Sequence, residues 1–119
     1  APIIVREGRV VEFGTQVPVF IVESPLSIKA VQRQIVGYML SRDELLDNQF
    51  PEILYRTAHL GEVDSEPVEL KVRIDTKAGG TIMQISMRLT SGDYIGSERY
   101  RDRNDAVKQL ISKMLRYKI

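Results

Sequence analysis

The chain has 119 residues, 43% of them hydrophobic and 28% charged, and a formal net charge of +1. That length suits one domain with its own core. The lack of cysteine excludes a disulfide framework, a thiolate metal site and a cysteine nucleophile. The single histidine, His59, would leave carboxylates to complete any zinc site. No run of about eighteen apolar residues is present to span a membrane. The opening Ala1-Pro2-Ile3-Ile4-Val5 lacks the basic stretch and long apolar core of a signal peptide. The expectation is an intracellular, cytoplasmic protein with no membrane partner.

Residues 3–23 are rich in β-branched and aromatic residues, interrupted at Glu7-Gly8 and Gly14-Thr15-Gln16. This pattern predicts two or three short strands joined by tight turns, with Pro18 at an edge or a strand start. Ser27 can cap a helix from about Ile28 to Leu40, with Ile28, Val31, Ile35, Tyr38 and Met39 on one face. Ser41 to Asn48 reads as a short helix or connector, with Ser41 and Glu44 spaced as a capping box. Asp43, Glu44 and Asp47 lack calcium-loop spacing and read as helix-start charges.

Pro51 fits the first position of a second helix running to about His59, with Ile53, Leu54 and Ala58 on its apolar face. Gly61 to Pro67 reads as an acidic loop. Three strands are then expected. In the first, Val68, Leu70, Val72 and Ile74 alternate with Glu69, Lys71, Arg73 and Asp75. The second is marked by Ile82, Ile85, Met87 and Leu89, and the third runs from Tyr94 to Tyr100. Alternation buries one face of such a sheet and leaves the other polar. Asp102 can cap a last helix from Arg103 to about Tyr117, with Ala106, Val107, Leu110, Ile111, Met114 and Leu115 as its buried stripe. The expected class is α+β. A packed N-terminal β-hairpin and helix (residues 1–48) precede an α-β-β-β-α unit (49–119) with helices on one face of an antiparallel sheet.

The spacing of Gly92, Gly96 and Ala106, the cap at Asp102 and the apolar positions Leu110, Ile111, Met114 and Leu115 recur elsewhere. With Pro51 and Leu54, they make residues 51–117 resemble the double-stranded RNA-binding domain family. The family's phosphate-gripping Lys-Lys-x-Ala-Lys is eroded here to Arg103, Asn104, Asp105, Ala106 and Val107. The resemblance implies that Arg103 meets phosphate at the helix start, and that Arg56 and His59 stand where the family's first helix reads the minor groove. A looser resemblance, to the arm-binding domains of phage integrases, implies duplex DNA held by a three-stranded sheet.

From Arg99 to Lys118 seven cations face two acids, Asp102 and Asp105. A local patch of this kind can contact phosphates. Arg99 and Arg101 share a face if they lie on a strand, Lys108 follows on the helix, and Lys77 marks a basic glycine-rich turn. Arg56 and His59, three apart, share a face on the expected helix. No catalytic constellation, metal site or cofactor motif is visible, so no enzyme is expected. The leading expectation is a module that binds structured or double-stranded RNA through Arg103, Lys108, Arg99, Arg101, Lys77, Arg56 and His59. The alternatives are a protein-interaction or assembly subunit on the same fold, and duplex DNA binding through the sheet. The apolar N-terminal strands would pack on the body, on a protein partner or on another copy of the chain.

Overall fold

Period-2 burial organises about half of the chain into one antiparallel sheet. The structure is a computed structural model and describes residues 3–42, 45–49, 51–60 and 63–117, with 12, 45–49, 57–60 and 63–65 described by their backbone. The strands are β1 (Ile4–Glu12), β2 (Thr15–Ser24), β3 (Leu45–Gln49), β4 (Glu52–Leu60), β5 (Val63–Lys77) and β6 (Gly80–Leu89). The sheet order is β1-β2-β6-β5-β4-β3. Helix α1 (Ile28–Ser41) links β2 to β3, and α2 (Asn104–Leu115) follows a 3-10 turn at Glu98–Arg103. The class is α+β.

β1 and β2 pair antiparallel from Ile4–Glu23 to Glu12–Thr15. The turn between them has only two residues, Phe13 at φ 51° and Gly14 at φ 79°. Two consecutive positive φ values fit the turn whose twist matches that of paired strands. Glycine takes this conformation freely, whereas Phe13 is held there at a cost of about 1–2 kcal/mol. β2 pairs with β6 from Phe20–Ile85 to Ser24–Thr81. That ladder begins just beyond Pro18, which has no N–H to offer it. β1 and β2 therefore belong to the same sheet as β3 to β6.

The face beneath the helices carries Phe20 and Val22 of β2, Met83, Ile85, Met87 and Leu89 of β6, and Val68, Leu70, Val72 and Ile74 of β5. Ile53 and Tyr55 of β4 complete it. All are buried. Val31, Ile35, Tyr38 and Met39 of α1 close over them, with Val107, Leu110, Ile111, Met114 and Leu115 of α2. Ser27 caps α1 as the sequence implies, accepting a hydrogen bond from the Ala30 amide at 3.3 Å. The bend after β2 is stitched to the β5–β6 hairpin, where the Thr81 hydroxyl donates to the Leu26 carbonyl at 2.6 Å. Gly80 is required there, because a Cβ would lie 2.1 Å from the Ser24 carbonyl oxygen.

Several expectations are corrected. Residues 52–60 form a strand where a helix from Pro51 to His59 was expected. Ile53 and Tyr55 point into the core, and the segment pairs with β5 from Glu52–Arg73 to Leu60–Val63. Long-range pairing overrides the local helix signal of Pro51, whose carbonyl instead accepts from the Ile74 amide at 2.9 Å. Leu45–Gln49, expected as a helix or connector, is the edge strand β3. β5 starts at Val63, inside the expected acidic loop. Tyr94–Tyr100 is not a strand. Gly92 and Gly96 adopt φ values of 96° and 99° and fold the chain back on β6, leaving isolated bridges at Arg88–Tyr94 and Ile95–Ser97. α2 correspondingly begins at Asn104 with no side-chain cap, so Asp102 does not cap it. Ser41 ends α1 and its hydroxyl donates to the Tyr38 carbonyl at 2.6 Å, so it caps no following helix, and Asp47 lies in β3; Asp43 and Glu44 lie outside the described residues.

Glu23 ties three strands together, bonding the Arg6 guanidinium at 2.8 Å and the Lys77 ammonium at 3.1 Å. The hydrogen bond from Arg6, then that from Lys77, holds its carboxyl below the ordinary 4.5. The stabilisation is therefore present above the unfolded-state value and is lost as pH falls through the lower folded value. Between about pH 6 and pH 3, the wild-type melting temperature should fall towards that of Glu23→Gln, narrowing the gap between them. In a second test, Leu110→Asp places an unpaired carboxylate among buried side chains. It should remove roughly 3 kcal/mol or more of unfolding free energy, measured in urea.

Candidate nucleic-acid interface

Charge is divided unevenly between the two layers. Residues 28–42 and 104–116, which hold the helices, carry Lys29, Arg33, Arg42, Lys108, Lys113 and Arg116 against one acid, Asp105. Since the whole chain is +1, the remainder stands at −4. Lys29 and Arg33 are exposed and lie one helical turn apart on α1. On α2, Lys108, Gln109, Ser112, Lys113 and Arg116 line a shallow depression of about 450 Å³. The rings of Tyr38 and Tyr117 meet edge to face at 6.1 Å, which brings the carboxyl-terminal ends of the two helices together. The Arg42 guanidinium lies over Tyr38 at 5.9 Å. Cations at these ends oppose the partial negative charge of both helices.

The residues singled out from sequence fall in several places. Arg99, Arg101 and Arg103 lie on the 3-10 turn feeding α2, so Arg99 and Arg101 do not alternate along a strand. The guanidiniums of Arg99 and Arg103 each lie 5.7 Å from the Tyr100 ring. Arg99 also pairs with Asp93 at 3.3 Å, and the Tyr100 hydroxyl donates to the same carboxylate at 3.5 Å. Arg103 is half-buried and its Nη1 is enclosed. These two arginines hold the turn together, while Arg101 is exposed and Lys108 lies in the α2 depression.

Arg56 and Lys77 belong elsewhere. Arg56 stands on the open face of β4, 3.9 Å from Glu69. It shares no helix face with His59, which lies beyond a register shift in the same strand. The His59 side chain lies outside the described residues, as does Lys118. Lys77 bonds Glu23 at the far end of β5, eight residues from Glu69 and so roughly 26 Å away along the strand. Neither joins the α2 cations.

On the open face, cations and carboxylates alternate. Glu52 lies between Lys71 at 3.4 Å and Arg73 at 3.8 Å, and Arg73 also bonds Asp75 at 3.2 Å. With Arg56–Glu69, its cations are interleaved with carboxylates. Among the described residues, no group of three or more His, Asp or Glu side chains could hold a metal ion, and no helix is long and apolar enough to cross a membrane.

The reading from sequence missed the α1 cations. The available signal was the absence of any acid from residue 24 to residue 42. Compared with family models, curated proteins and solved structures, the chain matches none. Tyr100 carries the arginine cluster on its ring, so Tyr100→Ala should lower unfolding free energy by about 1–3 kcal/mol. Tyr100→Phe, which keeps the ring, should retain most of it in the same urea titration.

Proposed function

We propose that the chain is a non-catalytic binding module that takes up structured RNA on its helical layer. The carrying observation is the concentration of six cations against one acid in two adjacent helical segments of a nearly neutral chain. Phosphates lying along α1 and α2 would meet Lys29, Arg33, Lys108 and Arg116 with little opposing charge. Binding of this kind is dominated by counterion release and weakens steeply with salt. Contacts to phosphate position a duplex and carry no sequence information, which suits recognition by shape.

Two further points support RNA as the ligand. The sequence spacing of Gly92, Gly96 and Ala106 resembles that of the double-stranded RNA-binding domain family, although here both glycines follow the last strand, β6, and Pro51 precedes a strand in place of opening a helix. The coarse order of α1, antiparallel strands β3 to β6 and then α2, with both helices over one face, is compatible with a helix–sheet–helix unit of the kind this family implies. Its first helix would be at 28–41, upstream of Pro51, with β3 inserted. Duplex DNA held on the open face is less favoured, because Glu52, Glu69 and Asp75 stand among its cations.

Lys108 and Arg116 are exposed, so changing both to Glu should leave the fold intact. Affinity for duplex RNA should fall at least about tenfold near physiological salt, and the log–log salt slope should fall by about one per lost contact. Filter binding at two salt concentrations, with duplex RNA, duplex DNA and single strands, measures both. Failure of the unmutated protein to bind duplex RNA at micromolar concentration in low salt would overturn the proposal. Equal affinity for duplex DNA would remove the preference for RNA.

A further inference from the structure

β1 ends the sheet on one side, and among the described residues its outer edge faces no other strand. Opposite Arg9 stands Pro18, which has no N–H, so those two residues form a non-hydrogen-bonded pair. By alternation, Gly8 and its even-numbered neighbours turn their backbone groups towards β2. Val5, Glu7, Arg9 and Val11 direct theirs to the free edge. The same strand and its turn hold three of the chain's exposed large apolar side chains: Ile4 is 48% exposed, Val11 72% and Phe13 98%. An open edge beside uncovered apolar area invites another strand.

The sequence of β1 indicates which strand. In a twofold antiparallel pair, outward-facing groups meet only when the axis passes through a residue. Three registers keep most of the strand paired, with the axis at Glu7, Gly8 or Arg9. An axis at Glu7 sets that carboxylate against its own copy, and one at Arg9 does the same with its guanidinium; both are repulsive. An axis at Gly8 sets Glu7 against Arg9 of the second copy, and Arg9 against Glu7 of the second copy. It also sets Val5 against Val11 in both directions. Beyond the strand, it brings each Phe13 across from Ile3 of the other copy.

We infer that the chain forms a twofold dimer by antiparallel pairing of β1 with β1 of a second copy, with the axis at Gly8. The charges needed are available. Glu7 uses one carboxylate oxygen to accept from the Asn104 amide at 2.6 Å, which leaves the other. Arg9 donates to the carbonyls of Gly8 at 2.9 Å and Gly96 at 3.4 Å, and its guanidinium has further N–H groups to offer. The interface is isologous and closes on itself. Its axis is normal to the sheet, so both helical layers lie on the same side. This dimer stands independently of the ligand those layers take.

Sedimentation equilibrium of the full chain tests it by charge reversal. The wild type should be dimeric at micromolar concentration. Glu7→Arg alone and Arg9→Glu alone each put like charges face to face, and each should raise the dissociation constant at least about tenfold. An equimolar mixture of the two variants restores both attractions and should yield a mixed dimer, and the doubly substituted chain should dimerise by itself. Val11→Asp, at an exposed site, should also weaken the dimer. The inference is overturned if the wild type is monomeric at about 100 μM, a limit set by the affinity expected of a specific dimer. It is equally overturned if both single variants dimerise as the wild type does, or if the mixture stays monomeric.

Discussion

The fold depends on the apolar side of the β5–β6 pair. Val68, Leu70, Val72 and Ile74 face the helices beside Leu89, Met87, Ile85 and Met83, and every one of them is buried. β2 attaches to the outer edge of β6 and β4 to the outer edge of β5, each adding two side chains to the same surface. Among the described residues, both helices lay their apolar stripes on this surface and meet each other beside it. Burial of this layer, non-directional by itself, becomes specific because a one-residue slip in any strand would turn its core residues outward.

The same division sets the chemistry of the two faces. On the helical side, apolar stripes point inward and lysines and arginines point out, with Asp105 the lone acid of those segments. On the open face, Glu52 and Glu69 stand opposite Arg73 and Arg56 on neighbouring strands, which favours pairing and lowers the net field. Glu23 adds a further link between β1, β2 and the end of β5. Within a chain of nearly zero net charge, the two helical segments are thus locally cationic, which overall charge conceals.

Much of this was legible in the sequence where one periodicity stood alone. The alternation of Val68 to Ile74 marked β5, and the stripe from Val107 to Leu115 marked α2. Residues 52–60 were ambiguous. Pro51, Ile53, Leu54 and Ala58 fit a helix, while Ile53 and Tyr55 fit a strand, and only the register with β5 decided between them. For Tyr94–Tyr100, the turns at Gly92 and Gly96 reverse the chain before a strand can extend. The site was legible in part. Lys108 stood out within a basic segment, but that α1, which carries Lys29 and Arg33, packs beside α2 is encoded by no local pattern.

Residue-resolved amide hydrogen exchange tests the central claim, that sheet and helical layer form one cooperative unit, most directly. The account predicts that the amides of Val72, Ile85 and Met87 exchange only through global unfolding, and that those of Ile35, Leu110 and Met114 share the same opening free energy. Helix amides that open several kcal/mol more easily than those of β5 and β6 would contradict it, because the helical layer would then be a separate, weakly docked part of the molecule.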